Sequence, residues 1–158
     1  MSIRIQQAQP SDATIIAEMV GELLHEIMAA IGANVFTYDR AGTEMRAKTW
    51  LTDRTYTVFL AREDGGLVTG FLALYESYAL YAEGAFGTIP ELYVRPAFRS
   101  QGVGARLMAE ARQYARSQRW TRLEVTTPPL PRFDRTMTFY ERQGFCVSGG
   151  RKMKADLS

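Results

Sequence analysis

Apolar and polar residues alternate along several stretches of the chain, which predicts β-strands. Residues 3–7 alternate in this way, and a period of two is typical of a half-buried strand. Residues 55–62 and 67–78 are rich in β-branched and aromatic side chains and are separated by two glycines, so they are predicted to form an antiparallel hairpin. A further run over residues 88–94 is predicted to stop at Pro96, because proline cannot donate to a sheet ladder.

In other stretches apolar residues recur every three or four positions, which predicts helices. The longest stripe starts at Ile15 and is predicted to end at Gly32, and a weaker pattern predicts a short helix over residues 45–51. Such spacing places the apolar side chains on one helical face, which can be buried against a sheet. The first helix should therefore cover one face of the strands that follow it.

The second half of the chain combines both patterns. A stripe over residues 102–117 predicts a helix, and a β-rich run predicts a strand at residues 123–127. A last helix is predicted over residues 134–142, capped by its first residue. Residues 145–147 and 151–157 are predicted to end the chain as strands.

These elements together predict an α/β (α+β) fold. We expect a strongly twisted, mostly antiparallel sheet of six to seven strands, with one parallel pair and helices on both faces. A length of 158 residues fits one domain spanning residues 1–158.

Composition and charge narrow the function classes. The chain has 19 basic and 17 acidic residues and a formal net charge of +2, so no nucleic-acid partner is expected. It shows no secretory leader and no apolar run near the roughly 18 residues that span a bilayer. We therefore expect a cytoplasmic protein without a membrane partner.

The scarcity of cysteine and histidine argues against a disulfide and against a metal site built from these residues. Cys146 is the only cysteine and His25 the only histidine, so an internal disulfide and clustered thiolate or imidazole ligands for a metal are not expected. Cys146 falls in a predicted strand, where it should pack as a small apolar residue.

The segment RSQGVGAR, residues 99–106, is the strongest candidate for a binding site. It lies between a predicted strand and an amphipathic helix, where unpaired backbone N–H groups and the helix dipole attract anions. Its glycines allow a diphosphate to approach the backbone. The segment lacks the Gly-Lys-Ser/Thr of a Walker loop, and Leu107 stands where a dinucleotide fingerprint has its third glycine.

The glycine loop belongs to the first of two sequence motifs that, in this order, resemble one protein family. Residues 91–107, ELYVRPAFRSQGVGARL, followed by residues 139–145, FYERQGF, closely resemble the GNAT superfamily of N-acetyltransferases. The resemblance implies a GNAT-like fold and acetyl-coenzyme A as cosubstrate, with its diphosphate held by main-chain N–H groups of the glycine loop. The residues that it assigns to this contact are Arg99, Gln101, Gly102, Val103, Gly104, Ala105 and Arg106.

The family fold also implies a gap in the sheet beside this loop. The strand ending at Val94 is expected to splay from the strand near Val125, which leaves backbone groups of Leu92 and Val94 to pair with the pantetheine amides. A free N–H there would also stabilise the oxyanion of a tetrahedral intermediate.

Tyr140 and Glu91 are the catalytic candidates that the resemblance implies. Tyr140 matches the family tyrosine near the thioester sulfur. Because a phenol has a pKa near 10 and a thiol about 8.5, full proton transfer to the thiolate is uphill by roughly 2 kcal/mol, and a hydrogen bond to the sulfur would suffice. Glu91 is the candidate general base, directly or through water. Its plain alternative is a solvated strand residue or a partner of Arg95.

One position departs from the family pattern. Family members often carry an asparagine about seven residues before the tyrosine, and here Phe133 stands in its place. Asp134 and Thr127 are the candidates to replace its contact with pantetheine.

Together these residues predict an N-acetyltransferase that acts on a primary amine of a small molecule and needs no metal. The alternative is a non-catalytic acyl-coenzyme A sensor, but retention of both Glu91 and Tyr140 favours the enzyme. The family resemblance also implies that the protein forms a homodimer.

Overall fold

Five strands and four α-helices make up the fold of the described residues. The computed structural model describes residues 2–129 and 132–158. Its helices and strands, in chain order, are β1 (Ile3–Gln7), α1 (Ala13–Ile31), α2 (Arg40–Thr52), β2 (Thr57–Glu63), β3 (Val68–Ala79), β4 (Gly84–Val94), α3 (Val103–Ser117), β5 (Leu123–Val125) and α4 (Asp134–Arg142). The largest differences from the predicted bounds are at α2, which begins five residues earlier, and at β4, which begins four residues earlier.

The strands form one mixed sheet in the order β1-β2-β3-β4-β5. The pairs β1–β2, β2–β3 and β3–β4 are antiparallel. The pair β4–β5 is parallel, and α3 makes the crossover that a parallel connection requires.

The prediction of six to seven strands is wrong, because the described residues form five. Residues 145–147 and 151–157 have no strand partner, and Cys146 is exposed instead of packed. Val147, Met153 and Leu157 are 80%, 91% and 98% exposed. Alternation of apolar side chains indicates a chain that can form a strand, but a strand also needs a neighbouring backbone to pair with.

The sheet has an apolar core on each face. Phe71 and Leu72 are both fully buried, and because successive strand residues point to opposite faces, they enter different cores. Phe71 belongs to the core with Met19 of α1. Leu72 belongs to the core with Leu107 of α3, which also includes Tyr140 of α4. The predicted helices on both faces are therefore present.

A β-bulge interrupts β4 in its middle. Ala73 pairs with Glu91 and Tyr75 pairs with Thr88, so β4 has one residue more than β3 across this interval. An extra residue reverses the direction of the backbone groups that follow it. The bulge therefore decides which groups of β4 face β5.

No helix within residues 2–129 and 132–158 has the length and apolarity required to cross a lipid bilayer.

Candidate active site

A gap opens between β4 and β5 beyond the bulge. The two strands pair only from Gly87 with Leu123 to Ile89 with Val125. β5 ends there, whereas β4 continues to Val94. Residues 91–94 of β4 are therefore paired with β3 on one side and lack a β5 partner on the other.

Leu92 and Val94 direct their backbone groups into this gap. The N–H of Arg95 donates to the carbonyl of Thr69 on β3 at 2.8 Å, so Arg95 faces β3. Because backbone groups alternate in direction along a strand, Leu92 and Val94 face the opposite side. The predicted placement of these two residues at an open edge agrees with this geometry.

The glycine loop ends in an uncapped helix N-terminus. Gly102 precedes α3 with φ of 80°, a left-handed conformation that glycine adopts without steric cost. The N–H of Arg106 donates to the Gly102 carbonyl at 3.1 Å, and no side chain caps the helix at Gly102. The N–H groups of Val103, Gly104 and Ala105 precede the first helical hydrogen bond and are open to an anion.

A second glycine lets the two helices on this face approach each other. A Cβ atom on Gly104 would lie 3.2 Å from ring atoms of Phe139 and 3.9 Å from a methyl group of Val94. Gly104 therefore holds the start of α3 against α4 and β4, which places the open N–H groups beside the gap.

The side chains of the loop are placed differently from its backbone. Arg99 donates from Nε to the Val94 carbonyl at 2.8 Å and from one terminal nitrogen to both carboxylate oxygens of Glu26, each at 2.9 Å. Gln101 donates to the Ala97 carbonyl at 3.4 Å, and Arg106 is exposed. Arg99 therefore ties the loop to α1 and β4 and occupies one backbone group that the family resemblance assigns to pantetheine.

Glu91 lies on the α1 and α2 face of the sheet, two residues beyond the end of β4–β5 pairing. It pairs directly with Ala73, and Ala73 belongs to the core on that face. The carboxyl group is half-buried, and burial raises its pKa to about 7, an effect that hydrogen bonding to Tyr56 partly opposes. A carboxyl group with a pKa near the working pH suits a general base.

The alternative interpretation of Glu91 as a partner of Arg95 does not match the structure. Arg95 forms ion pairs with Glu22 at 3.1 Å and with Glu18 at 3.5 Å, both on α1.

Tyr140 lies on the opposite face of the sheet. It is 6% exposed, in the core between the sheet and α3, with Phe139 and Phe145 packed edge-on against its ring. Burial raises its pKa to about 12. Relative to a thiol of pKa about 8.5, full proton transfer is then uphill by roughly 5 kcal/mol, which favours a hydrogen bond to the sulfur.

Sequence reasoning missed Tyr56 as a neighbour of Glu91. Tyr56 precedes β2 and contacts Glu91 across β3, at a sequence distance that no local pattern reveals. Phe133, at the place of the family asparagine, lies at the N-terminus of α4 and is half-buried, as is Thr127, whereas Asp134 is exposed. Which residue replaces the asparagine contact stays a prediction.

Within residues 2–129 and 132–158, no three His, Cys, Asp or Glu side chains are grouped so that they could hold a metal ion.

Comparison with known proteins agrees with this geometry. An acetyltransferase (GNAT) domain model matches residues 54–147. An uncharacterized N-acetyltransferase, YhfO of Bacillus subtilis (strain 168), is 27% identical over 143 residues, which cover 90% of this chain and 89% of that protein.

Solved structures share the fold. A predicted acetyltransferase from Clostridium acetobutylicum, determined with acetyl-coenzyme A, superposes with a TM-score of 0.79 and 13% identity over 98% of this chain and 96% of that chain. An aminoglycoside acetyltransferase from an uncultured soil metagenomic sample superposes with a TM-score of 0.76 and 17% identity over 99% of this chain and 97% of that chain. With a family model that covers more than half of its residues, the chain belongs to the GNAT acetyltransferase family and is an acetyl-coenzyme A-dependent N-acetyltransferase.

Proposed function

We propose that this chain transfers the acetyl group of acetyl-coenzyme A directly to a primary amine of a small molecule. The observation that supports this proposal is the placement of Glu91 and Tyr140 on opposite faces of the sheet, beside a gap into which Leu92 directs its free backbone groups. A base on one face and a hydrogen-bond donor on the other suit a reaction that passes through the gap.

The cosubstrate fits the chemistry of the loop. The uncapped N–H groups of Val103, Gly104 and Ala105 would hold the diphosphate, and the C=O of Leu92 and the N–H of Val94 would pair with pantetheine. Arg99 would act by holding the loop through Glu26. Acetyl-coenzyme A supplies an activated acetyl group.

Glu91 would accept the proton that the acceptor must lose. An alkylammonium has a pKa near 10.4, so its neutral form is scarce at pH 7. Glu91 takes a proton, directly or through water, as the amine nitrogen bonds to the acetyl carbon. The N–H of Leu92 stabilises the oxyanion, the carbon–sulfur bond breaks, and Tyr140 donates a hydrogen bond to the leaving thiolate. Glu91 then releases its proton to water and the thiolate takes up a proton, so the products are an N-substituted acetamide and coenzyme A.

The proposal of a small acceptor is supported by the surroundings of Glu91. The carboxyl group is half-buried, beside Tyr56, and the Tyr56 ring stacks on that of Tyr75 with centroids 5.8 Å apart. A carboxylate next to aromatic faces attracts an alkylammonium. The structural neighbour named as an aminoglycoside acetyltransferase acts on a small molecule by its name.

The test is calorimetric titration with acetyl-coenzyme A of the wild type and two glycine variants. Gly102 and Gly66 both have positive φ, and a Cβ at either position meets open space, so Gly102→Val and Gly66→Val introduce similar backbone strain. We expect micromolar binding in the wild type and in G66V, and at least tenfold weaker binding in G102V, where the side chain would enter the anion site. Equal affinity in both variants would contradict the loop assignment, and no binding by the wild type would contradict the proposed function.

Thiol release in a panel of amines then tests the acceptor class. Diamines, amino sugars and aminoglycosides represent small molecules, and a peptide with a free N-terminus and a lysine represents proteins. Turnover of the peptide alone would overturn the small-molecule proposal.

We further propose a homodimer in the cytoplasm. The exposed apolar residues of the C-terminal segment, residues 146–158, are the surface that supports self-association. The exposed thiol of Cys146 suits a reducing compartment.

A further inference from the structure

Tyr56 is held in place by aromatic rings on two sides. Its ring centroid lies 5.0 Å from that of Trp50 on α2, with the planes tilted by 41°, and 5.8 Å from that of Tyr75 on β3, with the planes 13° from parallel. The backbone N–H of Tyr56 donates to the Trp50 carbonyl at 3.1 Å. These contacts leave the Tyr56 ring little freedom to move.

The sheet brings the Tyr56 hydroxyl to Glu91. Tyr56 immediately precedes β2, whose first residue, Thr57, pairs with Leu74 of β3. Ala73, the residue before Leu74 on β3, pairs with Glu91. Tyr56 and Ala73 both pack in the core on the α1 and α2 face, where Glu91 pairs with Ala73, so the hydroxyl lies near the carboxyl group and influences its pKa. Burial keeps the pKa of Tyr56 far above its usual value, so the phenol stays protonated and its proton remains available for a hydrogen bond to the carboxylate.

We propose that Tyr56 is a positioning residue: its hydroxyl holds the Glu91 carboxylate in the orientation that accepts the amine proton, and the rings of Trp50 and Tyr75 hold Tyr56 there. This inference rests on the proposed function, because it needs Glu91 to be the base. It adds a residue outside both sequence motifs to the active site.

Among the described residues, the other titratable side chains on this face are engaged elsewhere or lie farther from Glu91 than Tyr56 does. On β4 itself, Tyr93 shares the face of Glu91, but its hydroxyl donates to Glu22 at 3.1 Å. From α1, Glu18 and Glu22 are engaged by Arg95. From α2, the residues packed on this face are Ala47 and Leu51, and from β3 the nearest titratable group is Tyr75.

The pH profile of kcat/KM for the amine distinguishes positioning from a structural role. In the wild type, kcat/KM should fall as the pH decreases through about 7, because Glu91 becomes protonated. This fall is the acid limb of the profile. The Tyr56 hydrogen bond stabilises the carboxylate, so Tyr56→Phe should move the limb upward by about half a pH unit to one unit and lower kcat above it several-fold. The KM for acetyl-coenzyme A should not change.

Tyr114→Phe is the matched control. Tyr114 also loses a hydroxyl contact, with Thr57 at 3.1 Å, but it lies outside the proposed site, so its limb should stay at the wild-type pH. If Tyr56→Phe fails to fold, as judged by circular dichroism, Tyr75→Leu removes one supporting ring and should shift the limb in the same direction.

The outcomes separate the two proposals. An unshifted limb in folded Tyr56→Phe, together with loss of the limb in Glu91→Gln, would overturn the role of Tyr56 and leave Glu91 as the base. A limb that persists in Glu91→Gln would overturn the assignment of Glu91 and the role of Tyr56 with it. A shift in Tyr56→Phe that is absent in Tyr114→Phe supports the inference.

Discussion

At the scale of single residues, burial is what gives Glu91 and Tyr140 their chemical properties. Both groups have raised pKa values, about 7 and about 12, and in both cases burial is the main cause. The same burial that gives Glu91 a pKa suited to proton transfer makes it costly to the fold when charged.

The cost should appear as a dependence of stability on pH. The pKa of Glu91 is raised on folding, so the folded state binds more protons than the unfolded state between pH 4.5 and pH 7. Wild-type stability should therefore fall relative to Glu91→Gln as pH rises through this window. The difference should be near zero at pH 4 and reach at most about 3 kcal/mol at pH 8, measured by urea unfolding. A constant difference across this range would mean that Glu91 is solvated.

Tyr140→Phe should separate binding from turnover. Phenylalanine keeps the ring between Phe139 and Phe145 but cannot donate a hydrogen bond to sulfur. We expect acetyl-coenzyme A affinity within about twofold of the wild type and kcat lower by about 10- to 100-fold, which corresponds to a lost hydrogen bond to a developing charge. Unchanged kcat would show that thiolate departure needs no donor.

At the scale of elements, the strand-loop-helix unit was largely predictable, whereas the side-chain contacts between strands were not. The stripe on α3 and the glycines before it are local patterns, so the loop and the uncapped N-terminus of α3 could be located from the sequence. The contact of Tyr56 with Glu91 depends on the registers of β2 with β3 and β3 with β4. Registers are set by packing across the whole sheet, and no stretch of sequence records them.

Arg99 is expected to act on the cofactor through the position of its loop. If so, Arg99→Ala and Glu26→Gln should each weaken acetyl-coenzyme A binding by a similar factor. Because both side chains are partly exposed, a two- to fivefold loss is expected, corresponding to about 0.5 to 1 kcal/mol. The double variant should lose little more than either single variant. A loss confined to Arg99→Ala would instead indicate direct contact with the diphosphate.

At the scale of the whole molecule, the main wrong prediction concerns the C-terminal segment. Its alternating residues predicted strands, but in a single chain they bury almost nothing. The β5 edge beside the gap is three residues long and offers little backbone for further pairing. The strands that periodicity predicted here are therefore wrong, because an alternating pattern carries no information about a pairing partner.

Removing residues 148–158 should change assembly more than the active site. We expect acetyl-coenzyme A affinity to be unchanged, because the proposed anion site and Glu91 lie in other elements. Light scattering should find a dimer for the full chain and a monomer for the truncated chain. A dimer in both would place the interface elsewhere, and loss of the folded state would mean that the segment packs on its own chain.

The arrangement of Glu91 and Tyr140 on opposite faces also has a kinetic consequence. If the two substrates enter from different sides of the sheet, neither blocks the other, and both can be present when the acetyl group moves. Initial-rate plots at several fixed amine concentrations should then intersect, as for a ternary-complex mechanism, and a product-like amide should not prevent coenzyme A from binding. Parallel lines would instead require an acetylated enzyme intermediate. Such an intermediate is unnecessary if each substrate reaches the gap from its own face of the sheet.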